Sequence, residues 1–386
     1  MSGAANESLA NPRRPNKVPW RIGLLVDWAY TTQPMIDYVD AVSLALEEAH
    51  QGGVIDRPVE LVGRKLHGGP NASALDVRAA FRELVDQERV LGMIGPTLPD
   101  DMMAVRDDID RARVPVLSFG GTLGLSSPFL FQLPNGTYVD EIRMIINYAR
   151  AQGVRRIALV RDMSMMGEEY TSTFQLAMRE ARMPIAAVAA IPPAPTRADL
   201  DQAFADVAAS GADALLVITV AVHQHFVEAL SRIEWRPQHR LMVCNFVAAI
   251  PGFDGPQAFE GWVGVDQFDE ANPVFTRMVD AFEARYARRV GHTYQAIGYD
   301  IGRALARALS MMAPSTPEGL RDALERVRML PAAAGAAGTV VSFSKNDRRG
   351  YKGDYLVYRT VEAGFNKPLG GLSKYLGSTP LQPRTL

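Results

Sequence analysis

The sequence predicts an α/β protein of two Rossmann-like lobes, each a parallel sheet with helices on both faces. Short apolar runs alternate with amphipathic segments of helical period, the pattern of parallel strands joined by crossover helices. The run Arg21–Asp27 (RIGLLVD) is matched by Arg155–Asp162 (RRIALVRD), and the elements after each copy keep step. The 386 residues, 47% hydrophobic and 22% charged, give room for two domains, or one large one, with a real core.

After the first run, Met35, Tyr38, Val39, Val42, Leu46 and Ala49 fall at helical spacing, and Gly52-Gly53 can cap that helix. Next come a strand (Pro58 to Val62), a helix (Ala72 to Asp86), a strand (Val90 to Ile94), a helix (Asp100 to Ala112) and a strand (Pro115 to Ser118). The second copy continues with a helix over Tyr170 to Ala181 and a strand over Ile185 to Ile191. Helix Ala198 to Ser210, strand Ala214 to Thr219, helix His223 to Ile233 and strand Leu241 to Cys244 complete it. Each copy therefore reads β-α-β-α-β-α-β. Helices over Phe275 to Tyr286, Tyr294 to Met312 and Pro317 to Val327 come next. The tail reads as strand (Gly338 to Phe343), polar hairpin turn (Asn346 to Gly350) and strand (Tyr355 to Arg359).

Ligands on such sheets bind beyond the C-terminal strand ends. Those ends are Asp27-Trp28, Gly95-Pro96-Thr97, Ser118 to Thr122, Asp162 to Gly167, Thr219 to Ala221 and Cys244-Asn245-Phe246. At the fourth strand, VPVLS ends in Phe119-Gly120-Gly121-Thr122 rather than in an ordinary polar turn. Either a tight turn needs a positive φ there, or something must approach the backbone closely.

The sequence carries no signature of other chemistry. A formal charge of -2 gives no electrostatic reason to expect nucleic acid or an anionic membrane. No window of 18 or more uninterrupted apolar residues suggests a membrane span. The six histidines form no H-E-x-x-H or Cys/His cluster, so neither a metal nor a cofactor is expected. His223 and His225 would diverge at a helix start, one of them facing the cleft as a hydrogen-bonding group. The lone Cys244 excludes an intrachain disulfide and reads as buried rather than nucleophilic. G-x-S-x-G, G-x-x-x-x-G-K-[ST] and a G-x-G-x-x-G after the first strand are all absent, so no catalytic residue is assigned. Asp107-Asp108 and Asp110 with Arg106, Arg111 and Arg113 read as a solvated helix face. Residues 1–20 read as a disordered lead without the apolar core of a secretory signal. As written, the chain favours the cytoplasm, or an extracytoplasmic site if a signal is missing.

With this order of elements the chain resembles the type I periplasmic binding proteins, most closely the branched-chain amino-acid (leucine/isoleucine/valine) receptors of ABC transporters. The resembling residues are Ile22 to Leu25, Ala45 to Ala49 with Gly52-Gly53-Val54, Arg57 to Val62, Gly92 to Pro96, Val114 to Ser118 and Arg156 to Val160. The resemblance implies a non-catalytic Venus-flytrap receptor whose lobes, joined by a multi-strand hinge, close on a small ligand. Expected spans are 21–136 and 269–343 for the first lobe, and 137–268 and 344–386 for the second and the tail. Gly120, Gly121 and Thr122 occupy the family's first-lobe contact positions, where glycines would bring a ligand to backbone N–H groups.

Departures from the family inform the ligand. Thr97 and Asp100 are the polar choices after the third strand, Met165-Met166 stands where an aromatic commonly precedes Gly167, and no carboxylate occurs around Cys244-Asn245-Phe246. An ammonium without a facing carboxylate is costly to bury, so a free α-amino acid is a poor candidate. Trp28, Tyr30, Phe119, Met165, Met166 and Phe246 suggest an apolar or aromatic ligand, with Ala221 and His223 as second-lobe contacts. Burying about 300 Å² of such a ligand would yield roughly 7 kcal/mol gross, before the costs of association. The expected partners are that ligand and an ABC permease. In the alternative reading, a cytoplasmic sensor of the amide-sensing regulator type, the partner is a regulatory protein.

Overall fold

The computed structural model of the protein describes residues 17–27, 32–66, 73–122, 124–219, 224–243 and 256–376. Strands β1 (Trp20–Val26), β2 (Val59–Lys65), β3 (Gly92–Ile94), β4 (Val116–Ser118) and β5 (Leu130–Gln132) form a parallel sheet in the order β2-β1-β3-β4-β5. Helices α1 (Gln33–Gln51), α2 (Ala74–Arg82) and α3 (Pro99–Ala112) connect its first four strands. Proline in the first turn starts both α1 and α3, where its missing N–H costs no helical bond.

Helix α4 (Tyr138–Ala151) leads into β6 (Ile157–Asp162), α5 (Met165–Ala181), β7 (Ile185–Ile191), α6 (Arg197–Ala208), β8 (Ala214–Ile218), α7 (Gln224–Arg232), β9 (His239–Met242) and β10 (Trp262–Asp266). Their parallel order, β7-β6-β8-β9-β10, repeats that of the first sheet, so the sequence repeat is a repeat of topology. Two late strands, β14 (Val357–Glu362) and β15 (Phe365–Gly371), extend this sheet in antiparallel fashion beyond β10.

Between β10 and β14 the chain returns to the first lobe through α8 (Pro273–Tyr286), α9 (Thr293–Met311) and α10 (Pro317–Leu324), then a small antiparallel sheet of β11 (Leu330–Pro331), β12 (Val340–Val341) and β13 (Tyr351–Lys352). The first core accordingly joins Ile22 and Phe131 to Ile297, Leu305, Phe343 and Tyr351. A second core joins Leu159 and Val160 to Trp262, Leu356 and Tyr358. The crossings are tied to one another. Gly136 N–H donates to Gln267 Oε1 at 2.7 Å, Gly335 N–H to Gln267 O at 2.6 Å, and Gly350 N–H to Gln132 O at 2.7 Å.

Several elements differ from the sequence reading. The strand expected over Gly338–Phe343 contracts to β12 and pairs with β13. Its expected partner, Tyr355–Arg359, instead enters the second sheet as β14. Helix α4 and strands β5, β10 and β15 were not anticipated. The mixed-charge helix α3 is not wholly solvated. Asp108 is buried, and its carboxylate accepts hydrogen bonds from Arg78, Arg82 and Arg111, which supply the charge its burial demands.

Candidate functional site

Asp27, at the C-terminal end of β1, is fully buried and organises the neighbouring loop. It accepts the Thr97 N–H at 2.7 Å, the Thr97 hydroxyl, and the Leu98 N–H at 2.9 Å. Asp101, one turn into α3, is also buried. Its carboxyl is pushed up to about 8, first by burial and then by the charge of Asp27. Asp27 thus fixes the loop of Thr97 and Leu98 from behind, with Asp101 packed beside it. Thr97 lines the cleft as the sequence suggested, but its hydroxyl proton is committed to Asp27.

The Phe119–Thr122 stretch lies beside it. Ser118 Oγ donates to Pro96 O at 2.6 Å and accepts from Gly120 N–H at 3.0 Å, tying the two loops together. Neither Gly120 nor Gly121 has a positive φ, so a left-handed turn is not what requires them. Crowding is. A Cβ on Gly120 would stand 2.2 Å from Met102 Sδ and 2.9 Å from Thr97 O. Gly121 has milder neighbours, Pro134 Cβ at 3.3 Å and Gly136 O at 3.4 Å. The protein's own packing, before any ligand, demands glycine at 120.

Both glycines line a cleft between the lobes with Thr97, Leu98, Pro99, Phe119 and Tyr294 from the first lobe. Tyr138, Met166 and Tyr170 line it from the second. Phe119 meets Tyr38 edge-on at 5.1 Å and Tyr294 at 5.7 Å, while Tyr138 and Tyr170 rings lie 4.3 Å apart. Met166 reaches the cleft from the first turn of α5, which Ser164 caps by accepting the Gly167 N–H. Tyr138, Tyr170 and Tyr294 were missed by the sequence reading. Each sits on a helix face that periodicity marks only as apolar.

Thr122 is buried and joins the lobes: its hydroxyl donates to Glu169 Oε1 on α5 at 2.5 Å. Glu169 thus brings a carboxylate to Thr122 from a helix, while the strand end at Cys244-Asn245-Phe246, where the sequence carries none, lies outside the described residues. Asp100 is exposed in the first turn of α3, outside the lining of that pocket but facing the second lobe. Its carboxyl lies above the usual range, first through burial and then through the charges of Asp162 and Glu169 across the gap. Arg349, read from sequence as part of a polar turn, is half-buried, and its Nη2 donates to Gly121 O at 2.8 Å and Thr122 O at 2.7 Å. Trp28, Tyr30, Ala221, His223, Cys244 and Phe246 lie outside the described residues. Among the described residues no group of His, Cys, Asp or Glu could hold a metal ion, and no helix is long and apolar enough to cross a membrane.

A two-lobed α/β protein with strand-end loops and an aromatic cleft between its lobes has the architecture of a ligand-binding receptor. A family profile described as "Periplasmic binding protein" matches residues 19–364, and the chain belongs to that family. Its fold is that of the type I periplasmic binding proteins. A solute binding protein of an ABC transporter from Rhodopseudomonas palustris HaA2, in complex with p-hydroxybenzoic acid, superposes with a TM-score of 0.77 at 17% identity, covering 92% of this chain and 97% of that one. The branched-chain amino acid transporter substrate binding protein LivJ of Streptococcus pneumoniae, in complex with isoleucine, gives 0.74 at 17% identity, covering 91% and 98%. An ABC transporter substrate-binding protein from Sphaerobacter thermophilus gives 0.73 at 21% identity, covering 92% and 97%. No curated protein sequence matches the chain.

Proposed function

We propose that the protein is the non-catalytic receptor of an ABC transporter, closing its lobes on a small, largely apolar or aromatic acid rather than on a free amino acid. The lining of the cleft carries this reading: Phe119, Tyr138, Tyr170, Tyr294 and Met166 offer π-faces and a polarizable thioether from both lobes. A ligand touching both lobes favours the closed state, and closure is what a permease partner would read. The p-hydroxybenzoic acid complex of the Rhodopseudomonas protein lends the aromatic-acid reading further support. Glu169 favours a second reading. Its carboxylate beside Thr122 could meet the ammonium of an amino acid, as the isoleucine complex of LivJ brings to mind. The cytoplasmic-sensor alternative gains no support from these likenesses.

Native mass spectrometry of freshly purified protein, followed by calorimetric titration with 4-hydroxybenzoate and with leucine, separates the two readings. Micromolar binding of the aromatic acid with no heat from leucine supports the first. Leucine binding alone overturns it, and a chemically altered product would overturn the non-catalytic assignment.

A further inference from the structure

Three successive carbonyls of the ligand loop are held from one side. Gly120 O accepts from Gln132 Nε2 at 2.9 Å, and Gly121 O and Thr122 O both accept from Arg349 Nη2. In a trans peptide the N–H points opposite the preceding carbonyl. The N–H groups of Gly121 and Thr122 therefore face away from Gln132 and Arg349, and among the described residues neither has an acceptor. Arg349 is itself well anchored. Its backbone bridges to Gln132, the end of β5, while Gln132 N–H donates to Arg348 O at 2.8 Å.

We propose that Arg349 is a positioning residue for ligand recognition. It locks the Gly120–Thr122 loop with its N–H groups presented as an anion-binding pair and sets a positive charge behind them, so that the site selects an acid over its neutral isostere. Charge balance supports this. Burial lowers the pKa of the guanidinium, and Tyr138, Tyr355, Glu169 and Asp347 raise it, yet arginine stays charged at any working pH. Without Arg349, Glu169 would leave a net negative charge beside an incoming carboxylate. With it, the oriented N–H groups decide the sign of the local field. Arg349 acts through the loop, not by touching the ligand. The inference rests on the proposed binding role of this cleft, but not on the ligand being aromatic.

The test is isothermal titration of the wild type, Arg349→Gln and Arg349→Lys with two matched pairs, 4-hydroxybenzoate with 4-hydroxybenzamide and leucine with leucinamide. Arg349→Gln should weaken the acid of whichever pair binds by about 10- to 100-fold, as expected for a lost charge-assisted contact, and its amide by less than about threefold. Arg349→Lys should restore part of the preference for the acid. Equal weakening of acid and amide, or an unchanged acid, overturns the proposal. Binding of leucine but not 4-hydroxybenzoate would sink the aromatic reading while leaving this comparison intact on the leucine pair. If neither pair binds, amide hydrogen exchange of the free protein decides. Gly120, whose N–H donates to Ser118 Oγ at the start of the loop, should exchange at least about tenfold faster in Arg349→Gln than in the wild type or Arg349→Lys, at a comparable melting temperature. Unchanged exchange overturns the loop-locking role.

Discussion

Gly167, in the first turn of α5, has no room for a side chain: a Cβ would lie 2.2 Å from the Asp162 carbonyl oxygen and 2.5 Å from Asp162 Oδ1. Gly167→Ala should therefore cost about 1–3 kcal/mol, whereas Gly121→Ala, with no contact closer than 3.3 Å, should cost much less. Calorimetric melting of both variants checks this, and equal losses would show that the α5 turn yields easily. The acid pair behind Thr97 makes a second residue-scale prediction. Asp101 titrates at about 8 in the fold, above the ordinary carboxyl range, so the folded state binds more protons than the unfolded one between those limits. Its contribution to stability is complete at acid pH and is lost as pH rises toward 8. Asp101→Asn, which keeps a donor for Asp27 but cannot ionise, should flatten the fall of the melting temperature between about pH 5 and pH 8. A slope identical to wild type would mean that Asp101 does not carry the proton. None of this was legible in the sequence, where Asp100-Asp101 reads simply as two acids at a helix start, and only the fold brings Asp27 against the second of them.

The short α5 cap shows how an element places a site residue. Ser164 accepts the Gly167 N–H at 3.0 Å and donates to Asp162 Oδ1 at 2.5 Å, and Met166 occupies the turn so fixed. Ser164→Ala should cost about 1 kcal/mol of stability, the usual worth of an N-cap, and should weaken ligand binding through misplacement of Met166. Denaturant melts and titrations on one preparation check both parts, and lost stability with unchanged affinity would remove Met166 from the binding surface. At this scale the sequence was most informative. The two copies of β-α-β-α-β-α-β were visible because each buried strand is an uninterrupted apolar run and each helix keeps one apolar face. β5 and β10 escaped because each is a short fifth strand that follows the end of its β-α-β-α-β-α-β copy, where the repeat gives nothing to match it against. Arg359 hid the role of β14. It is fully buried over the Phe268 ring, 3.9 Å from its centroid, and paired with Glu270, so a charge sits at what sequence alone marks as a surface position. The site was legible only where it lies on strand-end loops. Tyr138, Tyr170 and Tyr294 come from three helices that crossings between the lobes bring together, and no spacing in the sequence records that meeting.

Opening and closing of the whole molecule is governed where the lobes touch directly, and two opposed interactions meet there. The Thr122 hydroxyl bond to Glu169 favours closure, while Asp100 on the first lobe faces Asp162 and Glu169 on the second and opposes it. Thr122→Val removes the bond and leaves every charge in place. It should shift the ligand-free equilibrium toward the open form by about 1.5 kcal/mol, roughly tenfold, the worth of a hydrogen bond to a charged group. Asp100→Asn removes the repulsion and should shift the same equilibrium the other way at neutral pH. The pH dependence follows with a definite sign. Because the Asp100 carboxyl is raised where the lobes meet, protonation favours closure, and closure weakens as pH rises through and above the carboxyl range. Small-angle scattering of the ligand-free protein at pH 4.5, 6 and 8 reads all three effects as changes in radius of gyration. Thr122→Val should be the most expanded, Asp100→Asn the most compact and the least pH-dependent, with wild type between them. If instead both variants expand the protein alike, the two contacts serve only to pack the cleft wall, and control of closure must lie in the crossing segments around Gln267 and Tyr355.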